Sequence, residues 1–442
     1  MNNAKVSSIL ELYQQIITVA CAKAMQQQSG SKVRRGIYCT RVVVWMMMLQ
    51  RLYCATLAAA VQMLIEGAAQ PLLEPCQRVE QWNVSSRTGG YCRARGRLSK
   101  LLCREMSEQI LQQLRQKLGT ICEDPPLYVI DGSSVELEHS PELLRAYPVA
   151  ENQHGKSHWP VLRILVAHEL QTGLAQPPCW GPMYGQAAVS EQELAEKIMG
   201  QLPAGARLVA DRNFGVFWMA YEAQQKGLGV VLRLTKERAF KLAGAISQAG
   251  ETPVRWKSSR HDGGKRRHFA AEAEVAGRVI ATRIGRGQSQ EWLYLFTTVD
   301  GPWQQMVDLY GRRGAIETDL RYLKRTVNLQ HIQARSVEML EKELLIAMSA
   351  YNLVRAVMAL AAQQHGIQPR QLSFSGVLNV VLYALPNLMV AATDELRQAH
   401  LQRIVDRANQ CRLPTRTTQR SYPREVWRHC QAFPVRPAEK SK

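Results

Sequence analysis

The chain has 442 residues, 46% of them hydrophobic, enough for a large buried core and two to four domains. Its formal net charge of +19 suits a polyanionic partner, nucleic acid above all. None of the ten cysteines sits in a CxxC pair or has a histidine at zinc-finger spacing, which excludes a zinc finger; they read as buried free thiols in a reducing compartment.

The start, MNNAKVSSIL, has no continuous apolar segment, and Val42 to Ile65 is interrupted by Gln50, Arg51 and Gln62. Neither a signal peptide nor a membrane span is expected. Residues 1–120 read as a helical N-terminal region for binding DNA. Val6 to Met25 has helical apolar spacing, with Ile9, Leu10, Tyr13, Ile16 and Ile17 on one face. Thr40 is placed to cap a second helix through Gln50. Ser85 to Gly90 breaks the pattern. Arg87, Arg93, Arg95, Arg97 and Lys100 make the following segment basic, and an amphipathic run then ends near Leu118-Gly119. Arg87, Arg95 and Arg97 are candidate DNA contacts, either in a groove or on phosphates.

The texture changes at Pro125-Pro126. Leu127 to Ile130 is a short β-rich run ending in Asp131-Gly132, with glycine suited to a tight turn. Val161 to His168 is a second strand, and Gly173 marks a turn. Ser190 to Met199 reads as a helix with a serine cap and Glu191 and Glu193 in its first turn. Arg207 to Ala210 is another strand, ending in Asp211, and Gly227 to Leu234 one more. This order gives an α/β core whose first part covers 125–235.

Residues 236–298 read as a β-rich insertion with strands at Val254–Ser258, His268–Val275, Arg278–Ile284 and Glu291–Thr298, punctuated by glycines including Gly277. Its cations, among them Lys257, Arg260, Lys265 and Arg283, face either DNA or solvent. The second part of the core spans 299–335, with a single helix over 306–326. Residues 336–442 form a helical C-terminal region. It holds a buried helix from Ser336 to Gln364 and another from about Ser375 to Leu385, stopped by Pro386. The tail from Arg412 reads as partly disordered.

Tyr310, Arg313, Glu317 and Lys324 fall at i, i+3, i+7 and i+14, one stripe of a straight helix, with Arg321 one turn after Glu317. One acid among cations suits a metal ion beside phosphate oxygens; an exposed helix laced with ion pairs has the same spacing. Asp131 and Asp211 each follow a short strand, where ligand groups gather in α/β sheets. Three carboxylates suit Mg²⁺, a hard ion that takes oxygen ligands, and two such ions about 4 Å apart can assist both sides of a phosphoryl transfer. His154, His158 and His168 lie between the aspartates but in strand and loop surroundings, and no transition-metal site is expected there.

Asp131-Gly132, Asp211-Arg212-Asn213-Phe214-Gly215 and the Y-(2)-R-(3)-E-(6)-K spacing resemble the insertion sequence 4 family of bacterial DDE transposases over about residues 125–330. The resemblance implies an α/β fold: an RNase H-like mixed-sheet catalytic core with a β-rich insertion, flanked by helical N- and C-terminal regions. It implies Asp131, Asp211 and Glu317 as catalytic metal ligands for two Mg²⁺ ions, with Mn²⁺ able to substitute. Tyr310, Arg313, Arg321 and Lys324 would grip DNA near the cut end. End cleavage would pass through a DNA hairpin before strand transfer, and Trp292 is the candidate to stack a base expelled from the duplex. The implied partners are double-stranded DNA with terminal inverted repeats, target DNA and a second copy of the chain when the ends are paired. The implied location is the bacterial cytoplasm, at the nucleoid when bound to DNA. A nuclease without strand transfer and a catalytically inactive DNA-binding remnant are the alternatives.

Overall fold

The computed structural model describes residues 8–30, 36–73, 84–119, 121, 124–153, 155–259, 269, 272–285 and 290–414. The chain opens with helices α1 (Ile9–Ile16), α2 (Val19–Gln28), α3 (Thr40–Leu52), α4 (Leu57–Ile65), α5 (Gly89–Arg97) and α6 (Lys100–Lys117). The single helix expected over Val6–Met25 is two. The backbone leaves the helix at Ile17, and the Thr18 hydroxyl accepts from Cys21 N to start α2. Thr40 is the first residue of α3 rather than its cap; its hydroxyl is taken by the Gln26 amide, and Cys39 holds the cap position without a side-chain bond.

The core begins with β1 (Leu127–Glu136), α7 (Pro141–Ala146) and the small hairpin of β2 (Glu151–Asn152) and β3 (Gly155–Lys156). It continues through β4 (Val161–Glu169), β5 (Cys179–Pro182), α8 (Glu191–Met199), β6 (Arg207–Ala210), α9 (Phe217–Gln225), β7 (Gly229–Arg233), α10 (Lys236–Ala243), β8 (Gly250–Lys257), β9 (Glu274–Ile284) and β10 (Glu291–Thr297). Helices α11 (Trp303–Gly311), α12 (Gly314–Arg321), α13 (Val337–Gln364), α14 (Phe374–Met389) and α15 (Asp394–Gln410) complete the order.

Among the described residues the main sheet has eight strands in the order β5-β4-β1-β6-β7-β10-β9-β8. β1, β6 and β7 run parallel; the neighbours on both sides are antiparallel. Side chains alternate along β1, and the alternation divides the core. Leu127 and Val129 face one apolar cluster with the helices around α13, while Tyr128 and Ile130 face the other with α8 and α9.

The strands of the stretch 236–298 do not form a sheet of their own. β10 pairs with β7, so β10, β9 and β8 extend the core sheet. Gly277, expected as a break between two strands, lies inside β9. A Cβ there would stand 2.6 Å from the Phe296 ring, so the glycine serves the close approach of β10. Residues 260–268, with most of the insertion's expected cations, lie outside the described residues, as do 415–442.

α13 is the packing centre of the helical regions. It is buried along nearly all of its length from Leu340 to Ala362 and packs against α3, α6, α14 and α15. It is long and apolar enough to cross a membrane, but that apolar stretch is wholly buried inside the protein. α14 runs through Pro386 instead of stopping before it. Proline leaves the Leu382 carbonyl without its helical donor, and the Tyr53 hydroxyl supplies one at 2.8 Å. The cysteines are not uniformly buried: Cys103 and Cys179 are, whereas Cys54 and Cys92 are exposed because their turn and helix positions face outward. Cys76, Cys122 and Cys430 lie outside the described residues.

Candidate active site

Asp131 does not end its strand, and Gly132 makes no turn. β1 continues to Glu136 because β4 pairs with it throughout, setting Asp131 opposite Val166 and Gly132 opposite Leu165. What does end near Asp131 is the parallel neighbour. β6 stops at Ala210, and Asp211 follows as the cap of a short 3₁₀ turn, its Oδ1 accepting from Asn213 N at 2.8 Å. Asp131 shares a face with Val129, and Asp211 with Val209, so both carboxylates project toward the side of the sheet that carries α12.

There they meet Arg313. Its Nη2 lies 3.7 Å from Asp131 Oδ2 and 3.5 Å from Asp211 Oδ2. One guanidinium thus neutralises part of two converging carboxylates. Burial is the largest influence on Asp131 and lifts its carboxyl to about 6. Arg313 and the Gly132 N–H, 3.0 Å from Oδ1, work against that rise, while Asp211 and Glu191 add to it.

The helix expected over 306–326 is interrupted. α11 ends at Gly311, α12 starts at Gly314, and i→i−3 bonds from Arg313 N, Ala315 N and Ile316 N tighten the junction. Two glycines flanking two arginines weaken the α-helix there. A π-helical turn, Tyr322–Thr326, follows α12 directly. Tyr310, Arg313, Glu317 and Lys324 therefore do not form one straight stripe. Tyr310 is buried on α11. Glu317 and Arg321 are exposed on α12. Lys324 is half-buried in the π turn; burial lowers its pKa, and Glu136 of β1 opposes that.

The basic N-terminal segment divides in the same way. Arg87 and Arg97 are exposed. Arg95 is not on the DNA-facing surface expected for it: it is buried and ion-paired with Glu343 of α13, which Arg51 of α3 also pairs. Trp292 is half-buried in β10, stacked with Tyr294 at 6.1 Å between ring centroids and covered by the Arg283 guanidinium at 5.1 Å. His158 stacks on His139, and His168 is buried beside Asp319; His154 lies outside the described residues.

One acid that motif reasoning passed over stands at this site, and another anchors the helix that bears Glu317. Glu191 opens α8, and its Oε2 accepts from Asn213 Nδ2 at 2.7 Å, next door to Asp211. Asp319, two residues after Glu317, is fully buried between Arg355 and Arg370. Glu191 was legible only as a first-turn helix acid, and Asp319 carried no signal at all.

The donor chemistry of the aspartates fits a hard divalent cation: two oxygen ligands converge where a positive charge already sits. Glu317 does not join them, and among the described residues no three His, Cys, Asp or Glu side chains gather closely enough to hold a metal.

The transposase DDE domain model matches residues 123–353, just over half of the chain and the whole of this site. The Escherichia coli (strain K12) transposase InsG for insertion sequence element IS4 is 26% identical over 321 residues, 70% of each chain. A solved piggyBac transposase synaptic complex with hairpin DNA is similar at a TM-score of 0.44 and 11% identity, over 91% of this chain and 87% of that one. The chain belongs to the transposase DDE domain family and is homologous to the insertion sequence 4 transposases.

Proposed function

We propose that the protein is a transposase that cleaves the ends of an insertion sequence and joins them to target DNA. The observation that carries this reading is the convergence of Asp131 and Asp211, set by two neighbouring parallel strands, on Arg313 of the segment bearing Glu317. Asp131 and Asp211 would hold Mg²⁺, or Mn²⁺ in its place, with Glu317, which stands apart from them in this structure, as the further ligand. Bound there, two such ions supply charge stabilisation to the attacking and leaving oxygens of phosphoryl transfer. An RNase H-like core is supported by the antiparallel run β5-β4-β1 continuing into parallel β6 and β7.

In this reading Arg313 is the group that trades partners. It balances the aspartates in the free protein, and its guanidinium is free to turn to a DNA phosphate once a cation carries that charge. Exposed Arg321 of α12 and half-buried Lys324 of the π turn after it would also contact DNA, and Arg87 and Arg97 would hold it farther from the cut. Trp292 would stack an expelled base at the hairpin step. The ends would be paired by two copies of the chain.

The test is a cleavage assay on a labelled duplex carrying the element's own end, in Mg²⁺, with Asp131→Asn as control. A nick at the end and then a hairpin, both absent in the control, support the proposal. Binding without cleavage, in Mg²⁺ or Mn²⁺, would instead identify an inactive DNA-binding remnant.

A further inference from the structure

Gly132 sits in the middle of a strand, with no turn to make. The reason for its missing side chain is on the opposite face of β1 from Asp131. A Cβ at position 132 would stand 2.2 Å from Glu191 Oε1, 2.4 Å from its Cδ and 2.8 Å from its Cγ. The Glu191 carboxylate therefore rests on the backbone of β1, one residue from Asp131, in space that only glycine leaves open.

The same carboxylate reaches the other aspartate's turn. Glu191 Oε2 accepts from Asn213 Nδ2 at 2.7 Å, while Asn213 N donates to Asp211 Oδ1 at 2.8 Å. The neighbouring Gln192 closes on Asn213 from behind, its Nε2 donating to Asn213 O at 2.6 Å, and Trp218 Nε1 donates to Gln192 Oε1 at 3.2 Å. The start of α8 is fixed in turn by a capping box between Ser190 and Glu193. Asn213 is thus held at its amide, its backbone N–H and its carbonyl, and Glu191 spans the gap between the residue after Asp131 and the turn that orients Asp211.

We infer that Glu191 is a positioning residue for the metal-binding aspartates: seated on Gly132 and holding Asn213, it sets the separation and orientation of Asp131 and Asp211. The inference rests on the reading of those two aspartates as metal ligands. Glu191 is not itself counted among the ligands. Its task needs an acceptor oxygen and a fitting shape, not a negative charge, and that difference makes the role separable from ligation.

The experiment is a Mn²⁺ titration of the purified full chain, followed by electron paramagnetic resonance, with a melting curve for each variant. Glu191→Ala is expected to weaken Mn²⁺ binding by about tenfold, as loss of an outer partner of a metal ligand does. Glu191→Gln keeps an oxygen for the Asn213 amide and is expected to restore most of that loss. Gly132→Ala, with Glu191 intact, is expected to reproduce the alanine defect by evicting the carboxylate. Parental Mn²⁺ affinity in Glu191→Ala, with only a lower melting temperature, would overturn the inference and leave a helix-capping role. A glutamine variant as defective as the alanine variant would also overturn it, in favour of direct ligation. If Asp131→Asn binds Mn²⁺ as well as the parent, the metal reading of the aspartates has failed first, and the role of Glu191 toward that metal falls with it.

Discussion

Arg370 Nη2 lies 2.9 Å from Asp319 Oδ2, and the aspartate it meets is wholly buried, two residues beyond the exposed Glu317. Arg355 of α13 pairs with the other oxygen of Asp319, and Arg370 also donates to the carbonyls of Leu170 and Glu169 at the end of β4. One short helix thus presents a carboxylate to solvent on one side and is anchored by a second carboxylate on the other. The anchor joins α12 to α13 and to the sheet.

Asp319→Asn is expected to destabilise the protein by about 3–5 kcal/mol, because it leaves Arg355 buried without its counter-charge. Urea denaturation measures this directly. A loss below about 1 kcal/mol, the range of exposed ion pairs, would show that the cluster does not anchor α12.

His168 faces this cluster from β4, its Nδ1 3.8 Å from Asp319 Oδ2, with Arg355, Arg370, Tyr351 and the Gly173 carbonyl around it. Burial is the main cause that lowers its pKa from 6.5 to about 4; Asp319 opposes the shift, and the two arginines add to it. Between those values the unfolded chain binds a proton that the folded chain refuses. The neutral histidine therefore contributes stability above pH 6.5 that is lost as pH falls toward 4, about 3 kcal/mol in all. His168→Phe, which cannot titrate, should flatten the stability profile in that window. An unchanged slope would remove His168 as its source.

Arg95 and Arg97 are two residues apart and are expected to behave oppositely. Arg95→Met leaves buried Glu343 with Arg51 alone and should cost a few kcal/mol of stability. Arg97→Met should leave the melting curve in place, weaken DNA binding and reduce its salt dependence by about one unit of slope. Denaturation curves and fluorescence anisotropy across a salt series separate the two. A salt slope unchanged by Arg97→Met would take that residue off the DNA.

Trp292 shares its face of β10 with Tyr294, yet it is only half-buried and carries Arg283 over its ring. Trp292→Ala is expected to lower the ratio of hairpin to nicked product in the cleavage assay. Equal slowing of both products would assign the residue to packing alone.

Much of this arrangement could be read along the chain. The runs Leu127–Ile130, Val161–His168 and Arg207–Ala210 are strands because each is a short β-rich stretch bounded by breakers, and Ser190 starts α8 because its capping box lies within four residues. Such signals are local, and they brought Asp131, Asp211 and the 310–324 motif into view. The length of β1, by contrast, was set by pairing with β4, and the interruption at Arg312–Arg313 overrode a continuous helical spacing.

The sequence by itself determined the chemistry available: two aspartates beside strand-forming runs, a glutamate among cations, and a strongly basic chain. Tertiary structure decided which of those charges act together. Arg95 meets an acid 248 residues away, Arg313 closes on both aspartates, and Glu191 fills the place that Gly132 leaves empty. A charge's partner depends on which distant side chain folding brings within a few ångströms and how much water it leaves there, and no local period encodes either.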